Sequence, residues 1–102
     1  MPQFLVLAHD DDDPEAPARR QQARAAHFDL IRPMAAAGEI KAGGAILDEA
    51  GGMTGSAVIV DFPDRAALDA WLARDPYVTQ GVWRRIEVLP FRLGVLAGAV
   101  TP

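Results

Sequence analysis

The sequence lacks cysteine and has only two histidines, His9 and His27, in 102 residues. Without cysteine the chain has no disulfide bonds, no thiolate metal ligands and no thiol nucleophile. Two imidazoles are too few for a structural zinc site, so we expect no metal and no cofactor. Ser56 lacks the G-x-S-x-G context of a hydrolase nucleophile, and no glycine pattern matches a nucleotide-binding loop.

Positive charge is also scarce. The 10 Lys and Arg residues are outnumbered by 14 Asp and Glu residues, which gives a net charge of −4. This balance argues against a nucleic-acid-binding protein, which would carry a basic stripe. No apolar run approaches the ~20 residues that span a bilayer, and the N-terminus lacks the basic region of a signal peptide. We therefore expect a cytoplasmic protein that binds neither membranes nor nucleic acid.

The 50% of apolar residues are arranged as strands and helices. Their periodicity predicts the order β-α-β-β-α-β in a single domain over residues 1–102. This order is typical of an α+β, ferredoxin-like fold, in which both helices cover one face of a four-stranded antiparallel sheet. The predicted strands are 3–9, 39–47, 55–62 and 82–93, the helices 18–37 and 65–73, the turn 48–54 and the loop 10–17, and the tail 94–102 has no assignment.

Several local features carry their own expectations. Pro33 should kink the last turn of the first helix, and Gly38 should end it. The pair Gly43-Gly44 suggests a bulge or a close approach to the backbone, and Pro90 should interrupt or bend the last strand. The acidic run Asp10–Asp13 is expected to be a solvated loop, with metal binding as the alternative.

The strands are apolar on both faces. In the first strand, Phe4 and Val6 point one way while Leu5 and Leu7 point the other. Two short helices cover only one face, and the other would expose a large apolar patch in a monomer. We therefore predict a homodimer in which the two sheets pack face to face as a barrel. The alternative is a monomer with the tail 94–102 folded over the sheet.

His27 is the main candidate for chemistry because it lies on the apolar stripe of the first helix, where packing does not need an imidazole. Imidazole is the natural general base or acid near neutral pH, and the alternative role is a hydrogen-bonded core histidine. Asp75, just after the second helix, is the best partner for it, or else a turn residue. His9 is expected in a solvent-facing loop, and Asp61 and Asp64 are weaker candidates at a strand edge and a helix cap.

With these residues in view, the chain resembles the YCII-related (YciI-like) family over nearly its full length. The resemblance implies a dimeric α/β barrel of ferredoxin-like subunits and a His-Asp pair that carries over to His27 and Asp75. One similar member is a dehydrochlorinase of a chlorinated hydroxyquinol, and the wider superfamily includes muconolactone isomerases and cofactor-free monooxygenases. The segments that carry the resemblance are Arg24-Ala25-Ala26-His27, Gly38, Gly43-Gly44, Gly52, Gly55-Ser56, Phe62, Asp75-Pro76-Tyr77, Gly81-Val82 and Pro90-Phe91.

Together these observations predict a small cofactor-independent enzyme of proton-transfer or elimination type, dehydrochlorinase- or isomerase-like, acting on a small metabolite. In this hypothesis the substrate contacts Arg24, Gly44, Ser56 and Tyr77, although Arg24 also fits an ordinary exposed helix residue. One alternative is a non-catalytic dimeric module that binds a small molecule or a partner protein, with a structural His-Asp pair. Another is a haem or quinol monooxygenase of the same superfamily.

Overall fold

The computed structural model describes residues 2–100. Four strands form the main sheet, and two helices and a short helical turn connect them. The strands are β1 (Gln3–Asp10), β2 (Ile40–Leu47), β3 (Met53–Asp61) and β4 (Trp83–Phe91), followed by the two-residue strands β5 (Val95–Leu96) and β6 (Ala99–Val100). The helices are α1 (Ala16–Ala36), α2 (Arg65–Leu72) and α3 (Pro76–Thr79).

The main sheet is antiparallel with the strand order β2-β3-β1-β4. This confirms the predicted α+β, ferredoxin-like architecture. One face carries the core, where Val6 of β1 and Val60 of β3 are fully buried together with Leu68 and Trp71 of α2. The core lies between this face and the helices, so side chains on the inner face of α1 are held against the sheet.

The helix α1 starts two residues earlier than predicted, because Pro17 fits its first turn, where no backbone N–H is needed. Pro33 lies inside the helix, which remains α-helical to Ala36. Gly38 then adopts a φ of +81° and donates to the carbonyl of Ala35, which ends the helix as predicted. No helix in the described part of the chain is long and apolar enough to cross a membrane.

Aspartates begin both later helices. The carboxylate of Asp64 accepts from the backbone N–H of Ala67 at 2.9 Å, the capping role expected from the sequence. The carboxylate of Asp75 caps α3 in the same way through Tyr77. From the sequence, Asp75-Pro76 predicts the end of α2, because the residue before proline is disfavoured inside a helix. The same pair also favours a helix start, which this prediction does not include, and for this reason α3 is absent from it.

Three details of the strands differ from the prediction. Gly43-Gly44 pairs regularly with β3, and the register shifts lie instead at Lys41 and between Ile46 and Leu47. β3 begins at Met53, so the preceding turn is shorter than predicted. Pro90 neither interrupts nor ends β4, because β4 is an edge strand whose other side needs no backbone N–H donor.

The sheet face away from the helices is apolar and open, and we call it the outer face. Leu5 lies on it between Ile59 and Leu89 of the neighbouring strands, and Leu7 lies between Ala57 and Glu87. Leu89 remains 45% exposed. The tail forms a β5–β6 hairpin whose side chains are themselves exposed, up to 70% at Val100. The described part of the tail therefore does not bury the outer face, and residues 101 and 102 lie outside the described residues.

Candidate active site

His27 and Asp75 meet beneath α1. The Nδ1 atom of His27 lies 2.7 Å from Oδ1 of Asp75, and the Asp75 side chain is fully buried. The pair forms because α1 presents His27 on the same buried stripe as Ala23 and Met34, while the cap of α3 turns Asp75 toward it. A carboxylate accepts only, so Nδ1 of the neutral imidazole carries the proton and Nε2 is left as the basic nitrogen.

Three donors hold the Asp75 carboxylate. Besides His27, the indole Nε1 of Trp71 donates to Oδ2 at 3.0 Å, and the backbone N–H of Tyr77 donates to Oδ1 at 2.9 Å. A buried carboxylate with both oxygens occupied has a fixed orientation, which in turn fixes its partner. The helical spacing of Trp71 with Leu68 and Leu72 predicts a core residue rather than a cofactor platform, and it gives no sign of this polar contact.

Aromatic rings hold the imidazole in place. The ring of Tyr77 stacks on it at 3.8 Å between centroids and 7° between planes, and Trp83 meets it edge-on at 5.7 Å. Nε2 of His27 forms no hydrogen bond with any residue from 2 to 100, and His27 lines a cavity. The arrangement leaves a basic nitrogen, of fixed direction, available to a small molecule.

The cavity lies between α1 and β2 and has a volume of about 430 Å³. This volume accommodates a small molecule of one to three rings, and it lies within the usual range of ligand pockets. Arg24, Gly44, Ser56 and Tyr77, which the sequence analysis proposed as substrate contacts, all line it beside His27. Its other lining residues are mostly apolar: Phe28, Ile31, Ala35, Ile40, Ala42, Gly43, Ala45, Met53, Val58, Trp71 and Trp83, with Arg20 and Lys41.

Arg20 is the site residue that sequence reasoning missed. The helical spacing places it mostly off the apolar stripe of α1, yet its side chain is 9% exposed and donates to both carboxylate oxygens of Asp10 at 2.9 and 3.0 Å. Its Nη2 also donates to the hydroxyl of Ser56 at 2.8 Å. The available signal was its spacing of seven residues before His27, which places both on one helical face.

Ser56 reaches this position because its neighbour has no side chain. A Cβ atom at Gly55 would lie 2.5 Å from the carbonyl oxygen of Ala8, so only glycine permits this approach of β3 to β1. The hydroxyl of Ser56 also accepts from the indole Nε1 of Trp83 at 3.2 Å. Ser56 is therefore a buried, doubly hydrogen-bonded side chain at the cavity wall.

The arginine and lysine side chains that line the cavity are Arg20, Arg24 and Lys41. Among residues 2–100, no aspartate or glutamate lines it, although the chain as a whole carries a net charge of −4. Arg24 forms no ion pair within the described residues, and its guanidinium lies 4.6 Å from the centre of the Phe28 ring. Burial raises the pKa of Tyr77, against the opposing effect of Arg20 and Arg24, so Tyr77 stays a neutral phenol at neutral pH.

The weaker candidates lie elsewhere. His9 contacts Glu87 at 2.9 Å on the outer face of the sheet, and Asp61 accepts from Gln3 at 3.3 Å. The acidic run is not simply a solvated loop, since Asp10 is buried against Arg20 and Asp13 pairs with Arg19. That pairing with Arg19 lowers the pKa of Asp13.

Comparison with known proteins places the chain in a family. Protein YciI of Escherichia coli is 31% identical over 95 residues, covering 87% of this chain and 97% of its own. An uncharacterised protein of Haemophilus influenzae is 34% identical, with coverage of 87% and 95%.

Two solved structures share the fold. The 5-chloro-2-hydroxyhydroquinone dehydrochlorinase of Burkholderia phenoliruptrix, in complex with 2,5-dihydroxybenzoquinone, is 25% identical with a TM-score of 0.78, covering 90% of this chain and 95% of that one. A dimeric ferredoxin-like protein of unknown function from Jannaschia is 17% identical with a TM-score of 0.51, covering 91% and 100%. Residues 3–92 match the YCII-related domain, and the chain belongs to that family.

Proposed function

We propose that the protein is a small cofactor-independent enzyme that removes a proton from a small metabolite, leading to elimination or isomerisation. The observation that carries the proposal is the His27–Asp75 pair, in which Nδ1 is bonded at 2.7 Å, Nε2 has no hydrogen bond to residues 2–100, and His27 lines a cavity of about 430 Å³. A solved structure similar to this chain is a dehydrochlorinase with a quinone in complex. Its chemistry, loss of a proton and a chloride, is of the same type.

In this mechanism, Nε2 of His27 accepts a proton from an acidic O–H or C–H bond of the substrate. The electrons of that bond move into the substrate, and in an elimination the leaving group departs with the electron pair of its own bond. Asp75 keeps the second nitrogen protonated and stabilises the imidazolium that forms. The overall change is loss of HX, or a proton shift in an isomerisation, so electrons balance without an oxidant or reductant.

We also propose that the working unit is a homodimer joined through the outer face. On this face Leu5, Leu7, Ile59 and Leu89 lie on three adjacent strands, and a contiguous exposed apolar patch is typical of a protein–protein interface. A structurally similar protein is described as dimeric. Two such faces packed together would complete a barrel and leave both cavities open on the helical side.

Chloride release from 5-chloro-2-hydroxyhydroquinone, followed with a chloride electrode, tests the proposed enzyme activity. We expect turnover by the wild type and a loss of about 10²- to 10⁴-fold in His27→Gln, the usual contribution of a general base. His9→Gln is the matched control, because His9 does not line the cavity, and light scattering checks that this variant keeps the mass of the wild type. Equal rates for wild type and His27→Gln would refute the role of His27. Binding of hydroxyquinols without turnover would support the non-catalytic module instead.

A further inference from the structure

Ser56 has a hydroxyl hydrogen without an acceptor in the protein. A serine hydroxyl offers two acceptor lone pairs and one donor hydrogen. Arg20 and Trp83 both donate to it, at 2.8 and 3.2 Å, so both lone pairs are occupied. Neither guanidinium nor indole N–H accepts a hydrogen bond, and no other side chain or backbone oxygen in residues 2–100 receives one from Ser56. The remaining hydrogen is therefore free for a group in the cavity that Ser56 lines.

The surroundings make this hydroxyl a stronger donor than an ordinary serine. Arg20 is a permanent cation in contact with the oxygen, and hydrogen bonds in a chain polarise one another where water is excluded. Asp10 holds the guanidinium from its other side, so Arg20 cannot turn away. Trp83 also contacts the His27 ring edge-on, which ties the position of Ser56 to that of the base.

The charge of the cavity selects what this hydroxyl binds. No carboxylate lines the cavity within the described residues, and Arg24 is an unpaired cation at its edge. A negative oxygen of a ligand gains from the Ser56 hydroxyl and from the Arg24 guanidinium. Aromatic side chains from three elements, Phe28, Tyr77 and Trp83, favour a flat molecule.

We propose that Ser56 is a catalytic residue that donates its hydroxyl hydrogen to a substrate oxygen as that oxygen becomes negative, so that the substrate is a planar enol, phenol or α-hydrogen carbonyl compound. The inference rests on the proposed function, because the negative charge develops when Nε2 of His27 takes the proton. The C–H or O–H electrons pass to the oxygen, the proton stays on Nε2, and Ser56 breaks no covalent bond. This is the role of an oxyanion-hole donor.

Binding of 2,5-dihydroxybenzoquinone separates this role from turnover. The compound ionises with a change in absorbance, whereas its dimethyl ether has the same ring and cannot ionise. We expect the wild type to bind the anion in preference to the ether, and Ser56→Ala to bind the anion about tenfold more weakly with unchanged affinity for the ether. Ser56→Thr, which keeps a hydroxyl, should retain the preference. Thr54→Val is the matched control, because that hydroxyl donates to Ile46 outside the cavity.

Ser56→Cys keeps a side chain of similar shape with a weaker donor, so it provides the same test if Ser56→Ala does not fold. An anion affinity in both variants equal to that of the wild type would overturn the inference. His27→Gln distinguishes the two proposals, since it should lose turnover and keep the effect of Ser56 on anion binding. If His27→Gln loses turnover while the Ser56 substitutions leave anion binding unchanged, the proposed function stands and the role of Ser56 does not.

Discussion

Replacing Asp75 with asparagine gives the sharpest test of the site, because three donors converge on its carboxylate. Oδ1 accepts from His27 and from the Tyr77 backbone, and Oδ2 accepts from Trp71. The amide has one acceptor oxygen, so in either orientation its NH₂ group faces at least one donor. With the oxygen kept toward His27 and Tyr77, the Trp71 indole is left without an acceptor.

The magnitude follows from these contacts. A buried donor without a partner costs about 1–3 kcal/mol, and the two remaining bonds each lose about 1 kcal/mol when their acceptor becomes neutral. The lower cost of burying an amide than a carboxylate offsets part of this. We expect Asp75→Asn to lower the free energy of unfolding by about 2–4 kcal/mol in urea denaturation at fixed protein concentration.

A double-mutant cycle separates this mechanism from a general packing loss. In the wild type, Trp71→Phe removes the donor to Oδ2 of Asp75. In the Asp75→Asn background, the same substitution removes an indole N–H that faces the amide NH₂ group, so it relieves a contact between two donors. The volume lost from the indole is the same in both backgrounds and cancels. We therefore expect a coupling energy of about 1–3 kcal/mol. Effects that add to within about 0.5 kcal/mol would refute the hydrogen-bond reasoning.

Three further predictions concern other parts of the molecule. Leu89→Asp on the outer face should convert a dimer to a species near 10.9 kDa in light scattering, and a wild type already of that mass would contradict the dimer. Arg20→Met should cost about 3–5 kcal/mol, because it leaves the buried Asp10 carboxylate unpaired, and Asp10→Asn in the same chain should recover part of the loss. Tyr77 is the only tyrosine. Burial raises the pKa of Tyr77, so phenolate absorbance should appear at a higher pH than for an exposed tyrosine. The neutral Tyr77 side chain contributes fully to stability below pH 10, and this contribution should be lost as the pH rises through the pKa of the folded state.

The order of the four main strands and the two longer helices along the chain, and the cap at Asp64, were predictable because they depend on local periodicity and turn chemistry. His27 was identifiable because an imidazole on an apolar stripe is conspicuous. Arg20 was not, since long cationic side chains are exposed on most helices and nothing local shows that Asp10 folds back to meet one. Trp71 was placed in the core correctly, but its indole contact depends on the α3 cap, which arises only in three dimensions.

The segment Asp75-Pro76-Tyr77 explains why a stable cap and a candidate base occur together. Pro76 fixes the first residue of α3, so the Asp75 carboxylate must turn back to accept from Tyr77. The same oxygen then meets Nδ1 of His27, and the Tyr77 ring falls parallel to the imidazole at 3.8 Å. A change that weakens the cap therefore moves both the orienting carboxylate and the stacking ring. The direction of Nε2 is set by the start of a four-residue helix, so the geometry of the site and the local fold cannot be altered independently at this point.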